Sequence, residues 1–131
     1  MTPILLCVLA AALMPIVCAG LAKRSGFGRP RRDCGYDNHA PRDWLARQTG
    51  LPARANAAQA NGFEALPFFI GAVAIALPAG APLERVQALA IAWVLLRLAY
   101  VGCYLADRQL ARSLVWAAAF AVNIAILLSA A

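Results

Sequence analysis

Four runs of about twenty predominantly apolar residues fill most of this 131-residue chain: roughly Thr2 to Ala22, Ala60 to Ala79, Leu83 to Leu105 and Leu110 to Ala130. A helix needs about 20 such residues to cross the ~30 Å hydrocarbon core of a bilayer, where every backbone polar group must be satisfied internally. The runs therefore predict four membrane-spanning helices in a single all-α domain covering residues 1–131. A composition of 63% hydrophobic and 14% charged residues agrees, because soluble domains are roughly half apolar and a quarter charged. Only the stretch from Lys23 to about Ala57 is hydrophilic, and it is too short and too rich in Gly, Pro and Arg to build a sizeable core.

A net charge of +6 would suggest a nucleic-acid partner in a soluble protein, but the placement of the charge gives a different reason for it. Eight of the twelve basic residues fall in the first connection: Lys23, Arg24, Arg29, Arg31, Arg32, Arg42, Arg47 and Arg54. The turn Pro78-Ala-Gly-Ala-Pro-Leu83 has none, whereas the third connection holds Arg108 and, at its edge, Arg112. Basic residues concentrate on the cytoplasmic side of membrane proteins, so connections one and three are expected in the cytoplasm and both termini outside. No nucleic-acid partner is needed. The first run lacks the basic n-region of a signal peptide and exceeds the usual 7–15-residue apolar stretch, so it is expected to remain as a span. The four cysteines offer no disulfide framework: Cys7, Cys18 and Cys103 lie in apolar runs, and Cys34 lies in a connection where thiols stay reduced.

Polar groups inside the apolar runs are the candidate site, since such groups are costly in a membrane and mark function by default. Around the start of the second run, Arg54, Asn61 and Glu64 fall near one stripe at helical spacing, with Gln59 within reach. A cap and first helical turn would be the plain alternative, because the macrodipole favours negative charge there. Pro67 follows, removing a backbone donor. In the third run, Arg97, Tyr100 and Tyr104 recur at spacings of three and four. Arg97 lies about fourteen residues into that run, where an unpaired cation costs at least ~2.5–3.5 kcal/mol. It therefore needs a partner, and Glu64 is the expected one, within or between subunits. The tyrosines also suit an interfacial aromatic belt. Arg112 opens the fourth run, where it could serve as a snorkelling anchor. Asn123, deeper in that run, is expected to act as interhelical glue. His39, Asp37 and Asp43 could be imagined as a metal site, but turn chemistry accounts for the Asn, Asp, Gly and Pro around them; no metal is expected.

Together, Asn61-x-x-Glu64-x-x-Pro67, Arg97-x-x-Tyr100-x-x-x-Tyr104 and Arg112-Ser113, each on its own span, resemble the MAPEG superfamily, the membrane-associated proteins in eicosanoid and glutathione metabolism. The resemblance covers the whole chain in order, and Gln59-Ala-Asn-Gly-Phe-Glu-Ala-Leu-Pro-Phe-Phe69 looks most like the bacterial members. It implies an inner-membrane homotrimer of left-handed four-helix bundles, with a glutathione site between subunits near the cytoplasmic face. The implied activity is that of a glutathione transferase or peroxidase, with glutathione as co-substrate and an apolar electrophile as second substrate. A non-catalytic ligand-binding or structural member of the family is the alternative. By motif position the resemblance assigns Arg54, Asn61, Glu64, Arg97, Tyr100 and Tyr104 to glutathione binding and Arg112 to thiolate stabilisation. Two positions depart from the pattern: Ala57 stands where relatives close to the eicosanoid synthases carry an Arg, and the interval after Tyr104 leaves Arg108 a competitor of Arg112. A small multidrug transporter would also fit four spans in a short chain, but it requires a carboxylate in the first span, and Met1 to Ala22 has none.

Overall fold

A computed structural model describes residues 2–130, and these are mostly helical apart from the connection between Lys23 and Gly50. The long helices are α1 (Thr2–Lys23), α3 (Gly50–Ala76), α4 (Leu83–Leu105) and α5 (Gln109–Leu127); a short α2 (Pro41–Ala46) lies in the first connection, and single 3-10 turns cover Arg31–Asp33 and Leu128–Ala130. Three helical segments are long and apolar enough to cross a membrane: Pro3–Lys23, Leu83–Leu105 and Gln109–Ala130. Segments of that length and composition are what a bilayer-spanning helix requires.

Helix α3 differs from the expected second run at its start. It begins at Gly50, ten residues ahead of the apolar run at Ala60. The cause is local: Ala53, Ala55, Ala57, Ala58 and Ala60 crowd this segment, and Ala is the strongest helix former. Polar Arg, Asn and Gln between them lower the hydropathy without opposing the helix. Asn61 and Glu64 thus sit well inside α3, which removes the helix-cap explanation for them.

The buried positions follow one rule on α1, α4 and α5. On α1 they are Ile4, Cys7, Ala11, Pro15, Cys18 and Ala22, and on α4 Val86, Ala90, Trp93, Arg97 and Tyr100. On α5, Ala119, Asn123 and Ile126 are buried. Alternating steps of three and four residues give a seam of period 3.5, the pattern of left-handed helix packing. Small residues recur along the seam at Cys7, Ala11, Cys18, Ala22, Ala90 and Ala119, as expected where lipid is as apolar as Leu and association depends on close approach. At one crossing of α1 and α3, a Cβ on Gly62 would lie 3.1 Å from the Pro15 Cβ, tighter than most such contacts, so glycine eases the approach of the two helices.

Both tight turns between long helices close in the same way. After α3, the Ala81 N–H donates to the Ala76 carbonyl and the Gly80 N–H to Leu77; after α4, Arg108 donates to Cys103 and Asp107 to Tyr104. This is the Schellman pairing, which needs a left-handed residue at its apex. Gly80 (φ 93) and Asp107 (φ 59) supply it. The second turn sets Arg112 one helical turn beyond Arg108 and directs α5 back along α4.

The hydrophilic connection has its own small organisation. Trp44 of α2 is buried, and its indole N–H donates to the Cys34 carbonyl at 3.3 Å. Phe27, Tyr36 and Trp44 pack edge to face in sequence, at 5.6 and 5.3 Å between ring centroids. Gly26 is required beside Trp44, because a Cβ there would overlap the indole ring.

Candidate functional site

Arg97 occupies a core position of the α4 seam and is 2% exposed. One of its terminal nitrogens donates to Asn61 Oδ1 at 2.9 Å, and the Asn61 Nδ2 donates to Glu64 Oε2 at 3.4 Å. The expected Arg97–Glu64 ion pair is not among those of the described residues. Instead, the carboxamide one turn ahead of Glu64 on α3 reaches the guanidinium first and relays its charge outward. Glu64 itself is exposed. One carboxylate therefore remains open at a surface that is otherwise apolar.

The contacts continue toward the end of α4. The Arg97 guanidinium carbon lies 4.3 Å from the Tyr100 ring centroid and 6.0 Å from that of Trp93. A cation over an aromatic face is favoured electrostatically, more so where water is excluded. Tyr100 meets Tyr104 edge to face at 5.5 Å, and the Arg112 guanidinium lies 4.5 Å over Tyr104. Glu64, Asn61, Arg97, Tyr100, Tyr104 and Arg112 thus form one unbroken chain of contacts across α3, α4 and α5. Helical spacing explains the order: Arg97, Tyr100 and Tyr104 share a face of α4, and the Asp107 turn brings Arg112 back against the last of them.

Two polar residues behave otherwise. The Arg54 Nε donates to the Leu105 carbonyl at 3.1 Å, and its Nη1 lies 3.8 Å from Asp107 Oδ2. Arg54 thus tops the C-terminus of α4, where the helix dipole favours a cation, and it braces the turn that positions Arg112. Arg108 is exposed, and among the described residues its side chain forms no ion pair and no cation–π contact with the chain of site residues.

Beside Arg97 opens a cavity of about 220 Å³ bounded by α3, α4 and α5. Its polar rim is Asn61, Glu64 and Arg97, and its walls are the rings of Phe68, Trp93, Trp116 and Phe120. Trp116 and Phe120 stack at 5.4 Å with an interplanar angle of 10°, and Phe68 tilts against Phe120 at 5.4 Å. Asn123 lines the same cavity, is 2% exposed, and leaves its carboxamide oxygen without a partner. Among the described residues the Asn123 Oδ1 makes no hydrogen bond to a neighbouring helix of the same chain, and the side chain is part of the cavity lining. The aromatic walls were not anticipated, although Trp116 and Phe120 stand four apart and Trp93 four before Arg97, each on one helix face. The four cysteines are free, Cys7 and Cys18 within the seam and Cys34 at the surface.

Comparisons with curated proteins and with solved structures give no match. A family model, that of the MAPEG family, does match, and it spans residues 3–131, all four long helices and every site residue above. The chain belongs to the MAPEG family.

Proposed function

We propose that this protein is a membrane glutathione transferase or peroxidase that activates the glutathione thiol for attack on apolar electrophiles. The observation that supports it best is the unbroken chain from Glu64 through Asn61, Arg97, Tyr100 and Tyr104 to Arg112. Glutathione carries an amino group, carboxylates, peptide amides and a thiol. The chain offers a carboxylate for the amino group, a buried guanidinium and phenol groups for the carboxylates and amides, and a second guanidinium for the thiol.

Helix α3 is the fourth span in this reading, with its polar first half leading from the cytoplasm to the apolar half beyond Glu64. The exposed Glu64 supports a homotrimer, since an open carboxylate on a membrane helix must meet polar groups from a neighbour or ligand. Positive-inside charge puts the Arg54 and Arg112 ends in the cytoplasm, where glutathione is met, and the membrane is the bacterial inner membrane. Arg54 holds the α4 end and lies at the cytoplasmic edge of the glutathione site.

Arg112 takes the thiolate role in preference to Arg108 because it is held against Tyr104 at the end of the contact chain. A thiol with a pKa near the ~8.5 of free cysteine is only slightly ionised at neutral pH, and the thiolate is the nucleophile. A guanidinium that lowered this pKa by about two units would contribute ~2.7 kcal/mol of differential stabilisation and make thiolate the main species. The electrophile enters from the lipid, where apolar molecules concentrate.

Arg112→Ala should lose the thiolate absorbance that develops on glutathione binding while keeping most of the binding. Thiolate formation at the wild-type level would remove Arg112 from this role. Conjugation of chlorodinitrobenzene by the purified protein tests turnover, and glutathione binding without conjugation would favour the non-catalytic alternative.

A further inference from the structure

The α5 seam is apolar on both sides of Asn123: Ala119 and Ile126 are buried with it. A carboxamide at such a position is costly when its oxygen is unpaired, and this one is part of the aromatic cavity's lining. The cavity walls are flat. Trp116 and Phe120 present nearly parallel rings on α5, and both are more than two-fifths exposed, leaving a side opening on the surface of the bundle. An apolar cavity of ~150 Å³ accommodates a benzene ring, so about 220 Å³ admits a ring with substituents or two fused rings. From Trp116 to Asn123 the helix rises about 10 Å, which matches the long axis of a fused bicycle.

We infer that this cavity is a binding site for a planar aromatic molecule bearing a hydroxyl or carbonyl at its far end, which Asn123 recognises. The carboxamide oxygen is buried without a partner, and a turn of the group by 180° exchanges its acceptor and donor ends, so either group is met. Asn61, Glu64 and Arg97 line the same cavity as Asn123, so a bound molecule meets both Asn123 and the polar chain. The inference rests on the proposed function only in making this molecule the electrophile; binding itself does not depend on it. Phe68, Trp93, Trp116 and Phe120 accept any flat apolar body, and Asn123 selects among them.

The test uses protein in lipid nanodiscs, with empty nanodiscs as reference, and follows saturable quenching of tryptophan fluorescence by 1-naphthol and by 1-methylnaphthalene. The two probes have nearly the same shape and differ in the hydroxyl. Wild type should bind 1-naphthol about fivefold more tightly, the size of one neutral hydrogen bond. Asn123→Leu should abolish that preference while both probes still quench, and Ala65→Phe, which projects a ring into the cavity, should remove saturable quenching by both. Equal affinities in wild type, a preference retained in Asn123→Leu, or no saturable quenching in wild type would overturn the inference. Glutathione binding measured on the same samples reports separately on the proposed function: its absence would sink that reading and leave the probe preference standing.

Discussion

The hydrophilic connection and the chain of site residues use the same side chains under opposite conditions. In the connection, Arg31 and Asp37 pair at 3.1 Å and Arg32 and Asp33 at 3.9 Å, all in contact with water. Such pairs contribute ~0–1 kcal/mol each, so they do not hold the segment together; Trp44 and its aromatic neighbours do. In the bundle, Arg97 is fully desolvated, and each polar contact it makes offsets a cost that lipid imposes. A hydrophobic residue would serve the seam at that position at least as well. Where charge is exposed it is incidental to stability, and where it is buried it is retained for something other than stability.

Trp44→Ala should break the first half of this comparison most forcefully. Truncating a buried Trp costs ~3–5 kcal/mol, and here that cost falls on the connection alone. Cleavage of the connection by an arginine-specific protease should rise more than a hundredfold, while the membrane helices remain intact by circular dichroism. Unchanged cleavage would mean that the surface ion pairs hold the segment after all.

Arg97→Met tests the second half. Arg97 is bonded to a neutral carboxamide and not to a buried counter-charge, so Met at this position strands no buried ion, the condition that makes removal of one charged partner costly, and the thermal midpoint in detergent should hold or rise. Glutathione affinity should fall by ten- to a hundredfold, the range of a hydrogen bond to a charged group. A variant that loses stability and binding in parallel would make Arg97 a structural residue. Glu64→Gln is a milder change, because the carboxamide still accepts from Asn61 and only the charge is lost. Since charge-assisted hydrogen bonds are about twice as strong as neutral ones, affinity should fall about fivefold. An unchanged titration would take Glu64 out of the site.

The same contrast governs how much could be read from the chain. Seam residues obey helical periodicity, so Arg97, Tyr100 and Tyr104 could be placed on one face from spacing alone, and apolar length located α1, α4 and α5. The start of α3 was hidden because hydropathy registers Asn56, Gln59 and Asn61 but not the helix-forming alanines between them. The Asn61 relay was missed for a different reason: spacing puts Glu64 and Arg97 on facing helices but does not say which α3 side chain is nearer the guanidinium. The orientation of Asn123 depends on which residues line the space between three helices, and periodicity on α5 alone does not contain that. In the connection, Trp44 had no periodic signal at all, since its partners Gly26, Cys34 and Tyr36 come from an irregular segment.

The smallest effect expected is at Asp37, where the contrast predicts a weak and pH-limited contribution. Its Oδ1 accepts the His39 backbone N–H at 3.0 Å and lies 3.1 Å from an Arg31 nitrogen. The His39 hydrogen bond first, and then the Arg31 charge, hold the carboxyl below its ordinary value of 3.8. A depressed folded pKa stabilises the ordered connection above the unfolded value, and that contribution disappears as pH falls through the folded one. Asp37→Asn keeps an acceptor for His39 but removes the charge, so hydrogen exchange at the His39 amide should be modestly faster than in wild type near pH 6. The difference between the two proteins should shrink below pH 3.8 and vanish once the wild-type carboxyl is protonated. A difference that persists undiminished in strong acid would show that Asp37 acts through its shape and not its charge, and would place even this exposed pair outside electrostatic control.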